Sequence, residues 1–179
     1  MGLRSTDTQW GSLNKVLHWS LFLAVLMTFI AVNVAGTYER GADERTWWMM
    51  LHRSFGLTAM LLMAVWLVLR PWTGRPLQYG ALWQAQLSRI VHWGLVLLVI
   101  GMPIAGLLMS QFGQREVSVF GLFAIPVVLG ENKDLSGMIY NAHTNIAAPL
   151  IFVLILVHIG GSLWHHIFDK DETLKRMIK

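Results

Sequence analysis

Four long stretches of this chain carry almost no charge. Val16–Val34, Ile90–Ser110 and Ala142–Trp164 contain no Asp, Glu, Lys or Arg, and Met49–Leu69 contains only Arg53. Each run is 19 to 23 residues long, against the ~20 helical residues that cross a ~30 Å hydrocarbon core. Inside lipid a backbone must satisfy its own hydrogen bonds, and runs of this length do so as helices. A single apolar run could be a core helix. Four of them in 179 residues leave no polar shell to bury them, since only 13% of the chain is charged. The expectation is an all-α integral membrane four-helix bundle forming a single domain over residues 1–179, with helices at about 16–34, 49–69, 90–110 and 142–164.

Four spans put both termini on one side. That side holds nine basic residues: Arg4, Lys15, Arg70, Arg75, Arg89, Lys170, Lys175, Arg176 and Lys179. The other holds five: Arg40, Arg45, Arg53, Arg115 and Lys133. The positive-inside rule then places both termini in the cytoplasm. The first run is too long for a signal-peptide core, lacks a small-residue cleavage site, and is read as a retained span. Trp47 and Trp48 suit an interfacial belt, and Pro103 sits where proline bends a helix. The inner loop is read as Arg70–Arg89, opening with Pro71. The longest loop, Gln111–Tyr140, has an apolar middle at Val117–Leu129, interrupted by Gly121 and Pro126. It is too short to span and reads as a cover over the outer mouth. With no cysteine there are no disulfides, iron–sulfur ligands or covalent haem attachments.

The chemistry lies with seven histidines: His18, His52, His92, His143, His158, His165 and His166. An ionisable side chain inside a membrane is a functional hypothesis by default. His18 and His92 lie near the cytoplasmic ends of their helices, and His52 and His143 near the outer ends. His158 follows His143 by fifteen residues, ~22 Å along the helix and ~60° around it. One face of the fourth helix thus offers a ligand at each depth, with His52 as outer partner and His18 as inner partner. Two haems, each held by two imidazoles, fit this layout, and their iron would be the metal that His18, His52, His143 and His158 bind. Zinc also takes histidines, but His18 and His158 have no cysteine or carboxylate near them in the sequence to complete a tetrahedral set. Gly56, Gly94 and Gly160–Gly161 offer room for a porphyrin, although glycine also serves helix packing. His165 and His166 fit an interfacial role as well as a binding one, and His92 a structural one.

The chain resembles the small bacterial cytochrome b561 family. The resemblance rests on Leu17-His18-Trp19, Leu51-His52-Arg53-Ser54-Phe55-Gly56, Phe120-Gly121-Leu122, His143, His158, Trp164-His165-His166 and Asp171-Glu172-Thr173-Leu174. It covers nearly the whole chain. It implies a dihaem protein of the bacterial inner membrane, with His18 and His158 on the inner haem b and His52 and His143 on the outer. It also implies superoxide oxidation coupled to ubiquinone reduction, with His165 helping to bind ubiquinone at the cytoplasmic side. The family's quinone site also uses an inner-loop lysine. This loop has none, and Arg75 is the candidate replacement. The outer side balances five basic residues against six acidic ones, Glu39, Asp43, Glu44, Glu116, Glu131 and Asp134, so no basic field for steering superoxide follows from the count. Two other readings are an electron-carrying subunit for a dehydrogenase or hydrogenase, and a haem-free transporter or metal-binding protein. The short loops speak against the first, and the scarcity of polar groups within the spans against the second.

Overall fold

The computed structural model describes residues 2–178. Four helical spans are long and apolar enough to cross a membrane: α1 (Ser12–Gly36), α2 (Asp43–Thr73), α3 (Leu82–Phe112) and a continuous fourth span, Lys133–Asp169. The protein is a helical membrane bundle. The fourth span is not uniform. It comprises α4 (Lys133–Asn141), a π-helical segment Ala142–Ala147, α5 (Ala148–Trp164) and a second π-helical segment His165–Asp169. A four-residue helix, α6 (Lys175–Ile178), follows.

The helices outrun the charge-free windows. α2 continues through Arg70 and Pro71 to Thr73, where Gly74 at φ +67° ends it. α3 begins at Leu82, eight residues before Ile90, and passes through Pro103 without a break. The inner loop therefore shrinks from Arg70–Arg89 to residues 74–81. Charged side chains on the last turns reach polar surroundings along their apolar stems, so a charge does not end a membrane helix. Asp43 and Glu44 open α2, where acidic groups favour the positive end of the helix dipole. The Asn132 side chain accepts from the Leu135 amide and caps the fourth span.

At one end of the bundle, here the hairpin end, the expected cover is a β-hairpin. Strand β1 (Val117–Val119) pairs antiparallel with β2 (Phe123–Ile125), Val119 opposite Phe123. Phe120 and Gly121 both take positive φ, 51° and 72°, so the chain reverses tightly. The strained Phe120 is held from below: its amide donates to Ser54 Oγ at 2.8 Å, and its ring packs edge-on against Phe55. Gln111 is buried and ties down the rest of the loop, donating to the Pro126 carbonyl and accepting from the Val128 amide, both at 2.8 Å.

The opposite end holds both termini and is closed by three segments. The Ser5 amide donates to the Thr73 carbonyl, Leu77 to Asp7, and the Trp19 indole to Met177. Between the two ends, Ala24, Ala59, Met63, Val96, Val99 and Ile151 form the mid-bundle core. Apolar side chains such as Leu150, Val153 and Leu156 point outward, as a lipid-facing helix requires.

Candidate cofactor site

The four spans leave one seam open. α1 packs along α2, and α3 packs on both α2 and the fourth span, but the fourth span has no comparable packing against α1 or α2. Histidines meet across that seam at two depths. Toward the terminal end, His18 of α1 faces His158 of α5 with ring centroids 6.1 Å apart. Toward the hairpin end, His52 of α2 faces His143 of the first π segment at 6.4 Å. Phe29 and Phe152 also meet across the seam, at 6.3 Å.

Two imidazoles bound to opposite sides of one metal have centroids about 6.3 Å apart, given metal–nitrogen bonds of ~2.0–2.1 Å and about 1.1 Å from nitrogen to ring centre. Both pairs have that spacing. Among the described residues, the one group of three or more side chains able to gather a metal is His165, Asp169 and Asp171, which includes neither pair. A facing pair of nitrogens suits a cofactor that brings its remaining ligands with it. His52 Nδ1 lies 3.0 Å from the Thr28 carbonyl, an acceptor that fixes the proton on Nδ1 and leaves the Nε2 lone pair free. The Nδ1 atoms of His18 and His143 are buried without a partner.

His143 lies inside a π segment, so the ~60° offset expected for a uniform α-helix does not apply there. The wide turn carries less rotation per residue. Across the seam His143 still faces His52, and His158 faces His18.

His92 is a neighbour of this site. Its ring packs edge-on against His158 at 5.0 Å, while its Nδ1 donates to the Ser88 carbonyl at 2.5 Å. Below it, His165 Nδ1 sits 2.6 Å from Asp171 and 3.2 Å from Asp169. Burial alone would raise the Asp171 carboxyl. Hydrogen bonds from Thr173 and His165, with the His165 charge, outweigh burial and hold it below its ordinary value. Gln84 bridges the Ala81 amide and Asp169. His166 and Arg75 are exposed, Arg75 in a shallow hollow with Arg70, Pro71 and Gly74.

A family model described as prokaryotic cytochrome b561 matches residues 9–179, covering all four spans. The chain belongs to that family. Two relatives from Escherichia coli (strain K12) carry the names cytochrome b561 homolog 1 and homolog 2. The first is 26% identical, covering 90% of this chain and 92% of the relative. The second is 28% identical, covering 99% and 95%. A Yersinia pestis protein named probable superoxide oxidase CybB is 29% identical, covering 90% and 91%. As a b561 cytochrome the chain is a membrane electron-transfer protein, and membership implies that it binds haem b.

The glycines of this b561 chain divide by role. A Cβ on Gly94 would come within 2.8 Å of Leu154 Cδ1, so Gly94 lets α3 and the fourth span approach closely. Gly160 and Gly161 have nothing within 4 Å. A Cβ on Gly56 would lie 3.8 Å from Pro103. A Cβ on Gly106 would lie 3.8 Å from His143 Cε1. At the hairpin end a hollow of about 420 Å³ is lined by Asp43, Thr46, Trp47, Met50, Arg53, Glu116 and Ser118, and the Arg115 charge is felt at Arg53. Two basic and two acidic residues balance there, in line with the count from sequence. Gln84 and Arg176 were given no role from sequence. Their partners lie on other segments, and no local spacing announces them.

Proposed function

We propose that this b561 cytochrome holds two haems b and passes electrons from superoxide at the hairpin end to ubiquinone at the terminal end. The observation that carries the reading is the pair of spacings, 6.1 Å for His18–His158 and 6.4 Å for His52–His143. These four histidines would hold the haem irons, one pair to each haem. Haem b, when bound, cycles between ferric and ferrous iron and so carries one electron at a time.

Each side chain then has a task. His52 is oriented by the Thr28 carbonyl, and the short hairpin leaves its pair near the surface. Two superoxide anions lose one electron each and leave as dioxygen. One ubiquinone takes those two electrons with two protons and leaves as ubiquinol. His165, held by Asp171 beside the lower pair, is the quinone-facing residue. The basic bias of nine against five supports cytoplasmic termini in a bacterial inner membrane. The relative named probable superoxide oxidase supports the donor.

The test begins with a pyridine haemochrome assay, expected to give two haems b per chain. His52→Ala and His143→Ala should remove one haem, His18→Ala and His158→Ala the other. The loaded protein, given superoxide and a short-chain ubiquinone, should form quinol without a partner. One haem per chain overturns the dihaem assignment. Two haems without superoxide-dependent quinol would make the chain an electron carrier for a dehydrogenase or hydrogenase.

A further inference from the structure

Three buried polar side-chain atoms among the described residues lack a hydrogen-bond partner: His18 Nδ1, His143 Nδ1 and Arg176 Nε. The first two belong to the histidine pairs. Arg176 belongs to neither. It is only 6% exposed, and none of the four ion pairs among the described residues includes it. A guanidinium stays charged and offers five N–H donors. Here Nη1 reaches the Leu77 carbonyl at 2.9 Å, and the group lies 4.3 Å from the centre of the Tyr79 ring. A carbonyl and an aromatic face orient the charge but do not neutralise it. A buried cation without an anion is costly, so this environment is incomplete until an anion arrives.

Its place in the fold indicates which anion. The next residue, Met177, accepts a bond from the Trp19 indole, and that ring packs edge-on at 5.2 Å against His18. On the other side Tyr79 precedes Gly80, where a Cβ would lie 2.9 Å from His165 Cε1. Arg176 thus stands between the surroundings of His18 and those of His165.

We infer that Arg176 is the cation of the terminal-end redox site and that it binds an anionic oxygen there. Two sources fit this chemistry: the propionate carboxylate of the haem on His18 and His158, or the oxygen of ubiquinone as it gains electrons. The inference rests on the function proposed above. The sequence candidate Arg75 lies exposed.

Arg176→Gln keeps a donor for the Leu77 carbonyl and removes the charge; Arg176→Lys returns the charge without the fork. Haem-loaded protein is compared by haem content, by optical redox titration of each haem, and by quenching of tryptophan fluorescence with short-chain ubiquinone. A propionate partner predicts that Arg176→Gln lowers the potential of one haem and leaves quinone binding unchanged. A quinone partner predicts a roughly ten- to hundredfold rise in the dissociation constant with both potentials unchanged. In either case Arg176→Lys recovers part of the effect. Wild-type potentials and quinone binding in Arg176→Gln overturn the inference. If the Gln variant does not accumulate with haem, the Lys variant decides. Near-wild-type behaviour supports a need for charge, whereas equal failure assigns Arg176 to packing and overturns the inference. A wild-type protein without haem would instead defeat the functional reading before any variant is compared.

Discussion

His92 lies closer to His158 than His18 does, its ring centroid 5.0 Å away against 6.1 Å. That spacing is too short for two imidazoles on opposite faces of one iron. On the proposed function His92 backs the site without entering it. His92→Ala is expected to keep both haems, where His158→Ala loses one; haem content and the low-spin ferric signal in electron paramagnetic resonance check this. Loss of a haem in His92→Ala, with none lost in His18→Ala, would reassign the lower pair.

Ser54 is fully buried, donating to the Met50 carbonyl and accepting from the Phe120 amide, both at 2.8 Å. Alanine there leaves the amide of a positive-φ residue without an acceptor, at a cost of about 1–3 kcal/mol. The melting temperature of Ser54→Ala should fall by several degrees, and chymotrypsin should cut faster at Phe120 or Phe123. Unchanged melting and proteolysis would mean that the hairpin is held by other contacts.

Asp171 gives the terminal end a pH limit. Its folded pKa lies below the unfolded value of ~3.9. The stabilisation it contributes is therefore fully present above that value and is lost as pH falls through the folded pKa. Hydrogen exchange over the last turn of the fourth span should show no Asp171-dependent opening from pH 7 down to about 4. Faster opening below that pH should be absent from Asp171→Asn, which is already loosened at neutral pH. An acid step that survives in Asp171→Asn would assign it to another carboxylate.

Much of this architecture is legible in sequence because lipid imposes simple rules. Charge-free runs of spanning length mark the four helices, and histidine depth along them marks the pairs. What escaped depends on tertiary contact. Arg70 and Pro71 look like the end of a helix, yet the backbone runs on to Thr73. Nothing in Ala142–Ala147 signals a π segment, because a wide turn is fixed by what packs beside it. The apolar segment Val117–Leu129 gave away its covering role but not its pairing, since three-residue strands are shorter than any alternation that reveals them.

The middle of the bundle has an electrical consequence. Between the two histidine pairs the helices hold no acid or base: residues 19–33, 54–69, 93–110 and 144–157 contain none. Protons have no ionisable side chain to step through, whereas electrons need none. On the proposed function, each turnover moves negative charge toward the cytoplasm and draws its protons from that same side. Catalysis then polarises the membrane, negative inside. An existing potential of that sign opposes it by about 2.3 kcal/mol per electron for every 100 mV, so an energised cell brakes the reaction and a depolarised one releases it.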